Sequence, residues 1–402
     1  MGLQLFAIAC CGFWVYAALY MQRSAARMPL LREVNGPETG VSADWPLVSV
    51  IVPACNEAEH LATALKSLLA LDYPSLEVVV VNDRSTDSTG AVIDEIAASD
   101  SRVRAIHVET LPAGWLGKVH AMHSGVEVAR GDWLLFTDAD VRFEPAALKL
   151  AIGYASTQRL DHLTCMPEVS ASRNFWLEVT IRAFFMLFSV SARLADVNRD
   201  NSKWPIGLGA FNLVRRALFR RTPGFEWLRM EPADDLALGA MLKRAGARSR
   251  LVHGEGMLSV PWYESMRDMV HGLEKNSFGP SANYRFSLQL LIVSLLLILA
   301  GMPVVSLGLG LARPDVVLIG AWALASLAVI VVAALLSRGR GRELLAYLCL
   351  PAGLLIMSWI MLRSAYICQR NDGIDWRGTH YSIAELRSGR RVSFTRTPDD
   401  DA

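Results

Sequence analysis

The sequence predicts an α/β protein with a mostly parallel, doubly wound sheet, joined to segments apolar enough to lie in a membrane. Short apolar runs rich in β-branched residues alternate with helical patterns between residues 47 and 136, and this alternation is typical of β-α-β units. Uncharged stretches follow at 287–312, 316–337 and 344–362. Each is close to the ~20 apolar residues that span a bilayer.

The composition excludes some classes of protein. Of 402 residues, 52% are hydrophobic, which is more than an ordinary soluble domain carries. The net charge of +1 gives no reason to expect a nucleic-acid partner. The six cysteines show no metal-ligand spacing, and we predict that they are reduced and buried, as on a cytosolic face. The first apolar run, 3–21, lacks a basic start and is followed by Arg23 and Arg27, so it predicts an anchor and not a cleaved signal peptide.

The strands and helices are predicted from the spacing of their apolar residues and from the residues that end them. We expect the first strand to end at Pro53, because proline cannot donate to a ladder. The predicted strands are 47–52, 76–81, 103–108, 133–136 and 163–166, and the predicted helices are 59–70, 85–99, 118–129 and 236–245.

Polar side chains follow three of these strands, at 56–57, 83 and 138–140. In open parallel sheets the ligand lies outside the carboxyl ends of the strands. Asp138 and Asp140 are two residues apart, so their side chains share a face if the strand continues. A divalent cation prefers such carboxylate oxygens and also bridges phosphates. Two solvated loop carboxylates are the alternative.

Four motifs carry a resemblance to a known family: Pro53-Ala-Cys-Asn-Glu57, Val80–Thr89, Gly117-Lys118 and Thr137-Asp-Ala-Asp140. In this order and spacing they resemble the nucleotide-sugar-binding half of family 2 glycosyltransferases, over about residues 46–280. The resemblance implies a GT-A fold, a UDP-sugar donor and a divalent metal, Mg²⁺ or Mn²⁺. Carried over to this sequence, the donor-binding residues are Pro53, Asn56, Glu57, Asp83, Lys118 and Asp138. Of these, Asn56, Glu57 and Asp83 would hold the uridine. Asp138 and Asp140 would bind the metal and the diphosphate.

Other interpretations of these residues stay open. Asp83 could be a turn residue that bonds its own backbone. Lys118 could be a solvated residue in a first helical turn, although a positive charge at a helix N-terminus is unfavourable without an anionic neighbour. His120 and His123 lie one turn apart, and we interpret them as surface or core histidines rather than a metal pair.

The second half of the resemblance concerns the acceptor. Residues 174–194 are apolar but interrupted by charges, which suits a helix in the membrane interface or a buried core helix. Glycines at 207 and 209 allow close backbone approach to a ligand. The family implies a sugar and acceptor pocket here, and the predicted acceptor-binding residues are Gly207, Gly209, Phe184 and Phe188.

Asp234 and Asp235 begin a predicted helix, where acidic residues also offset the helix dipole. The resemblance implies that Asp235 is the catalytic base, with Asp234 at a position where the family usually has Glu. A sugar or lipid hydroxyl is a poor nucleophile, and a positioned carboxylate can accept its proton. One base without a covalent step predicts inversion at the sugar carbon.

Two further motifs narrow the resemblance. The Gln-x-x-Arg-Trp pattern of processive polysaccharide synthases is not present. Instead, Gly272-x-x-Lys-Asn276 resembles glucosyltransferases of carotenoids and those associated with hopanoids. The segment 375–381 resembles their Trp-Lys-Gly-Arg-x-Tyr motif, which ceramide glucosyltransferases also have, with Thr379-His380 at the second arginine. Lys275 and Arg377 are the predicted diphosphate contacts.

The predicted domains are an anchor (1–22), a linker (23–46), a GT-A domain (47–285), a membrane region of about three segments (286–366) and a basic tail (367–402). Arginines flank the last apolar segment, which is a positive-inside signal. Pro351 and Gly353 could break that segment into a re-entrant hairpin. We therefore predict an inner-membrane protein with domain and tail both in the cytosol.

The leading hypothesis is a membrane-bound inverting glycosyltransferase that moves a sugar from a UDP-sugar to a hydroxyl of a hopanoid, carotenoid or sphingolipid-like acceptor. A processive polysaccharide synthase is the alternative enzyme. A membrane scaffold that binds a nucleotide sugar without transfer is the alternative outside enzymes. The presence of Asp138, Asp140 and Asp235 favours an enzyme.

Overall fold

A computed structural model describes residues 1–34, 45–169, 173–337 and 341–392. The described chain forms two compact units. A sheet unit comprises described residues within 28–170, 197–262 and 375–402, and a helical unit comprises those within 1–27, 171–196 and 263–374. The domain boundaries drawn from sequence remain a prediction, and part of the predicted linker, 35–44, lies outside the described residues.

The described strands, in chain order, are β1 (Val48–Ala54), β2 (Leu76–Asp83), β3 (Val103–Val108), β4 (Trp133–Phe136), β5 (Arg142–Phe143), β6 (His162–Met166), β7 (Glu168–Val169), β8 (Asn212–Arg215), β9 (Ser249–His253), β10 (Leu258–Val260), β11 (Gly373–Trp376) and β12 (Thr379–Ser382).

The described helices are α1 (Gly2–Arg27), α2 (Ala58–Leu69), α3 (Thr89–Ser99), α4 (Gly117–Val128), α5 (Ala147–Thr157), α6 (Phe175–Ser191), α7 (Leu194–Val197), α8 (Arg216–Phe219), α9 (Phe225–Leu228), α10 (Asp234–Arg244), α11 (Met266–Ala282), α12 (Phe286–Ala312), α13 (Val316–Leu336), α14 (Gly341–Leu348), α15 (Leu350–Arg370) and α16 (Ile383–Gly389).

The main sheet among these strands has the order β3-β2-β1-β4-β8-β6-β9. β1 pairs in parallel with β2 and β4, and β6 pairs in parallel with β9, whereas β8 is antiparallel to both its neighbours. The mostly parallel sheet is thus confirmed, with one reversed strand in its middle. All eight residues of β2 are buried, as expected for a strand covered on both faces by helices.

Pro53 does not end the first strand, and this part of the sequence prediction is wrong. β1 continues to Ala54, with Pro53 opposite Val81 of β2. β4 pairs with β1 only as far as Ile51. Pro53 therefore lies beyond the last rung on the β4 side, where a missing N–H costs no ladder bond.

The helical unit contains the long apolar helices. Four of the described helices are long and apolar enough to cross a membrane: α1, α12, α13 and α15. The last of them is not broken as a re-entrant hairpin would require, because α15 runs from Leu350 to Arg370 with Pro351 in its first turn. Proline is tolerated there since the first helical N–H groups have no intrahelical partner. Gly353 instead allows close packing, because a Cβ on it would lie 2.8 Å from the Ala183 Cβ of α6.

The charges of α6 are paired within the helical unit. Glu178 is buried and accepts from the Arg342 Nε at 3.0 Å. Arg182 lies 3.5 Å from Glu178 and 3.4 Å from Glu343. One face of α6 is therefore a packed core face, whereas Trp176 at its start is half exposed. The interpretation as a buried core helix holds for this face, and the membrane-interface interpretation stays a prediction.

Candidate active site

A pocket opens in the sheet unit where β1 and β4 end. The strand ends bring Pro53 and Asp138 to this edge because β1 and β4 run in parallel, and α4 and α10 supply the opposite walls. The lining residues are Pro53, Lys118, Met122, Phe136, Thr137, Asp138, Gly209, Asn212, Asp234, Asp235 and Leu238.

Lys118 is the positive centre of the pocket. Its Nζ lies 2.7 Å from the Asp138 Oδ1 and 3.4 Å from the Asp234 Oδ2. Burial alone would lower the pKa of Lys118, but the carboxylates of Asp138, Asp234 and Asp235 raise it above its usual value. The solvated-lysine alternative is therefore excluded, and the anionic neighbours predicted from its place at a helix N-terminus are three aspartates of the protein itself.

Gly209 joins the Asp235 carboxylate to the backbone of Asp138. Its N–H donates to the Asp235 Oδ2 at 2.9 Å, and its carbonyl accepts from the Asp138 N–H at 3.1 Å. Burial and the neighbouring charge of Asp234 raise the pKa of Asp235, and the positive charge of Lys118 opposes them. Asp235 is therefore more basic than an ordinary surface carboxylate, and its orientation is held by a backbone donor.

The loop that carries Gly209 packs unusually close to α10. A Cβ on Gly207 would lie 1.9 Å from the Asp235 carbonyl oxygen, and one on Gly239 would lie 2.0 Å from the Ile206 carbonyl oxygen. Asn212 fastens the same loop, since its Nδ2 donates to the Leu208 carbonyl at 3.0 Å. The close backbone approach that Gly207 allows is thus between this loop and α10 of the protein itself.

A buried histidine of the core holds the Asn212 side-chain amide in place. His162 is buried, with Nε2 3.1 Å from the Asn212 Oδ1 and Nδ1 3.2 Å from the Ser249 Oγ. Burial lowers the pKa of His162 to about 4. The imidazole is therefore neutral at physiological pH, with its Nε2–H donating to Asn212.

Asp138 and Asp140 form the candidate metal position. Burial, followed by the charges of Asp138 and Glu57, raises the pKa of Asp140 to about 6, which shows that these carboxylates repel one another. A divalent cation would relieve that repulsion. Among the described residues, no group of three or more His, Cys, Asp or Glu converges on one point. The donor set fits Mg²⁺ or a similar hard ion, which commonly takes one or two carboxylates and completes its shell with substrate phosphates and water.

The predicted nucleotide-binding residues meet at the neighbouring strand ends. The Asn56 Oδ1 accepts from the Thr86 N–H at 2.8 Å, which ties the end of β1 to the turn after β2. Asp83 is buried, and Arg84 donates to its two carboxylate oxygens at 2.8 and 3.1 Å. The structure does not support the interpretation of Asp83 as a turn residue that bonds its own backbone. Its partner is an arginine side chain.

The C-terminal tail contributes to this edge. Arg377, between β11 and β12, pairs with Glu57, and Thr379 accepts from the Arg84 Nη1 at 3.1 Å. Arg84 and Thr379 were not among the predicted site residues. The signals that could have found them are the position of Arg84 directly after Asp83 and the motif around Arg377.

The other predicted residues lie elsewhere in the chain. Lys275 belongs to α11, and Phe184 and Phe188 stack on α6 with ring centroids 6.0 Å apart, all in the helical unit. Their roles stay predictions. His120 and His123 pack against Trp115, with ring centroids at 5.4 and 5.1 Å, in accordance with the interpretation as packing histidines.

Comparison with known proteins shows which family this chain is similar to. Residues 49–222 match the family described as Glycosyl transferase family 2. The glycosyltransferase GlyG of Streptococcus pneumoniae is 33% identical over 182 residues, which are 43% of this chain and 58% of GlyG. The 4,4'-diaponeurosporenoate glycosyltransferase of Staphylococcus haemolyticus is 25% identical over 61% of this chain and 65% of its own. The chain thus matches less than two thirds of either relative's length.

The mannosyltransferase PcManGT of Pyrobaculum calidifontis, solved with GDP-Man and Mn²⁺, superposes with a TM-score of 0.52 at 19% identity. The alignment covers 92% of this chain and 99% of PcManGT. At this identity the likeness concerns the fold, and the predicted GT-A fold is confirmed. Together with the motifs at the strand ends, these matches show that residues 49–222 are similar to glycosyl transferase family 2, as the sequence predicts.

Proposed function

We propose that this protein is a membrane-bound inverting glycosyltransferase that transfers a sugar from a UDP-sugar to a hydroxyl group of a lipid. Asp235 is the proposed catalytic base, and the pocket around Lys118 and Asp138 is the proposed site of the donor diphosphate. The catalytic domain would lie on the cytosolic side of the inner membrane.

The observation that supports this proposal most directly is the setting of Asp235. Its Oδ2 is held by the Gly209 N–H at 2.9 Å, and burial raises its pKa. Asp138 is bonded to the same glycine through its own N–H. The carboxylate of the proposed base and the backbone of the proposed diphosphate-binding residue are thus bonded to the same glycine. Such fixed placement lowers the cost of bringing donor and acceptor together.

In the proposed reaction, the acceptor oxygen forms a bond to C1 of the sugar while the bond from C1 to the diphosphate oxygen breaks. The proton of the acceptor hydroxyl passes to Asp235. Lys118 stabilises negative charge on the leaving diphosphate, exchanging part of its contact with Asp138 for a phosphate oxygen. A divalent ion, held when bound by Asp138 and Asp140, would supply further charge neutralisation. Attack opposite the leaving group inverts the configuration at C1.

A lipid acceptor is supported by the helical unit and by one relative. Four described helices are long and apolar enough to cross a membrane. The relative from Staphylococcus haemolyticus is named for a carotenoid acid acceptor. An acceptor of this kind stays in the bilayer, because each CH₂ moved into water costs about 0.8 kcal/mol. Phe184 and Phe188 remain the proposed acceptor contacts, and Lys275 and Arg377 the proposed diphosphate contacts.

The test is substitution of the base in the detergent-solubilised full chain. Asp235→Asn keeps the side-chain shape but cannot accept the proton, so we expect turnover to fall by roughly 10²–10⁴-fold. Donor affinity should stay within a few-fold of wild type. Asp94→Asn is the control, since Asp94 is an exposed carboxylate that pairs with His107 outside the pocket. If donor binding is lost in Asp235→Asn, Asp235 is a donor or structural residue and Asp234 becomes the candidate base.

The product distinguishes the alternatives. A lipid that gains a single sugar, with nucleotide release dependent on that lipid, supports the proposal. A growing polymer without lipid would indicate a polysaccharide synthase, and binding without release would indicate a scaffold. Because PcManGT was solved with GDP-Man, UDP- and GDP-sugars should be compared in parallel.

A further inference from the structure

The C-terminal hairpin, defined here as residues 375–382, touches the two carboxylates proposed to hold the donor nucleoside. Arg377 of the hairpin pairs with Glu57 at the end of β1. Thr379 of the hairpin accepts a hydrogen bond from Arg84. Arg84 also donates to both carboxylate oxygens of Asp83 at the end of β2. Segments some 300 positions apart in sequence are therefore joined by one arginine–carboxylate pair, Arg377–Glu57, and by one hydrogen bond, from Arg84 to Thr379.

These contacts close the nucleoside end of the site. Asp83 is only 2% exposed, and Gly117 covers it so closely that a Cβ there would lie 2.2 Å from the Asp83 Oδ2. Burial raises the pKa of the Tyr381 phenol, which the backbone N–H of Gly117 contacts from the other side. A nucleoside cannot reach the Asp83 carboxylate in this arrangement unless Arg84 moves, and Arg84 is tied to Thr379.

Three of the nine described non-glycine residues with a positive φ angle lie in the same place. Asn56, Arg84 and Arg377 all have positive φ angles, of 55°, 54° and 51°. Such a conformation is sterically unfavourable for a residue other than glycine. Strain of this kind persists where surrounding contacts maintain it, and it often marks elements that switch. Here each strained arginine is held by a carboxylate of the proposed nucleotide site.

We propose that the hairpin is a latch on the nucleoside end of the donor site, closed by the Arg84–Asp83 and Arg377–Glu57 pairs and opened by the nucleoside diphosphate. This inference rests on the proposed donor function of the same edge. Arg84 and the nucleoside compete for the Asp83 carboxylate. Arg377, once released from Glu57, can pair with the diphosphate, because phosphate oxygens accept the same paired N–H groups as carboxylates. Nucleotide binding and latch closure would then oppose each other. By linkage, a change that weakens latch closure without removing a contact to the nucleotide strengthens nucleotide binding.

The first test measures opening of the latch without any nucleotide. Cys55 is half-buried and lies among the charges of Asp83, Arg377, Arg84 and Glu57. Its rate of alkylation by N-ethylmaleimide at fixed pH, followed by peptide mass spectrometry, reports exposure of this edge. Cys349, which is half-buried in the helical unit, is the internal reference.

Two variants weaken the latch. Thr379→Val removes the hydrogen bond to Arg84 without a change of charge, and we expect Cys55 to react roughly five-fold faster, the factor for one lost hydrogen bond. Arg84→Gly removes the whole clamp on Asp83 and should fold, because glycine adopts a positive φ at no steric cost. His380→Ala is the matched control, since His380 bonds Asp375 within the hairpin and not the nucleotide edge. Unchanged Cys55 rates in both Thr379→Val and Arg84→Gly would overturn the proposal.

The second test measures affinity for UDP by titration calorimetry. Thr379→Val and Arg84→Gly should bind UDP several-fold more tightly than wild type and His380→Ala. Weaker binding in both would show that the hairpin supports the nucleotide site rather than closing it, and would overturn the latch. If no form of the protein binds UDP or GDP, the donor function fails, whereas the alkylation rates still decide whether the hairpin opens as proposed.

Discussion

Substitution of Gly207 by alanine tests whether the loop at 206–209 positions the proposed base. The added Cβ would lie 1.9 Å from the Asp235 carbonyl oxygen and 2.8 Å from its carbonyl carbon. Both atoms belong to the backbone, so no side chain can rotate away. The loop and the N-terminal turn of α10 must therefore separate, and Asp235 must move with one of them.

The size of that movement follows from the contact. Real Cβ atoms stay at least about 3.0 Å from such neighbours, so the two backbones must separate by about 1.1 Å. The hydrogen bond from the Gly209 N–H to Asp235, now 2.9 Å, would be lost or badly lengthened. A misplacement of about 1 Å at a reacting group can cost roughly 10²-fold in rate. We expect Gly207→Ala to lose turnover by about that factor, with about 1–3 kcal/mol of stability.

The assay is sugar transfer under saturating donor and acceptor, with thermal unfolding measured on the same preparation. Gly254→Ala is the matched control, because its Cβ would also be crowded, at 2.8 Å from the Cys165 Sγ and 2.9 Å from the Leu258 Cδ1, outside the pocket. It should lose stability and keep turnover. Wild-type turnover in a folded Gly207→Ala protein, or an equal loss in both variants, would refute the positioning role of this loop.

Three further predictions concern the metal, the acceptor and the core. Asp138→Ala and Asp140→Ala should each abolish metal-dependent transfer while the sheet unit stays folded, and full activity of either variant, or of wild type in excess chelator, would count against the metal assignment. Phe184→Asp should raise the apparent KM for lipid more than that for the donor; a drop in donor affinity alone would remove α6 from the acceptor site. The buried His162 has a folded pKa of about 4 against about 6.5 when unfolded, so stability should be unaffected above pH 6.5 and fall by about 3 kcal/mol between pH 6.5 and 4. The His162→Gln variant should lack this component in melting curves, and an unchanged pH profile would contradict the assignment.

The sequence determined five of the seven strands of the main sheet, all except β8 and β9, because their signals are local. Runs such as Val78–Val81 are buried on both faces wherever they occur in a parallel sheet, and β-branched content predicts them without knowledge of the partner strands. The same holds for the long apolar helices, since about 20 uncharged residues satisfy their own backbone bonds in any apolar surrounding. The meeting of the three acidic clusters at one edge followed from parallel strands alone.

Relations between distant segments were decided by the tertiary structure. No local pattern shows that Gly207 faces the Asp235 carbonyl, that the Gly209 N–H holds the Asp235 carboxylate, or that Arg377 pairs with Glu57. Even Pro53, a local stop signal, lies inside its strand because of where β4 ends. Residue types and spacing thus determine which groups are available for the chemistry. Their distances and partners, and therefore their pKa values and access to ligands, arise only when the folded chain brings remote backbone segments together.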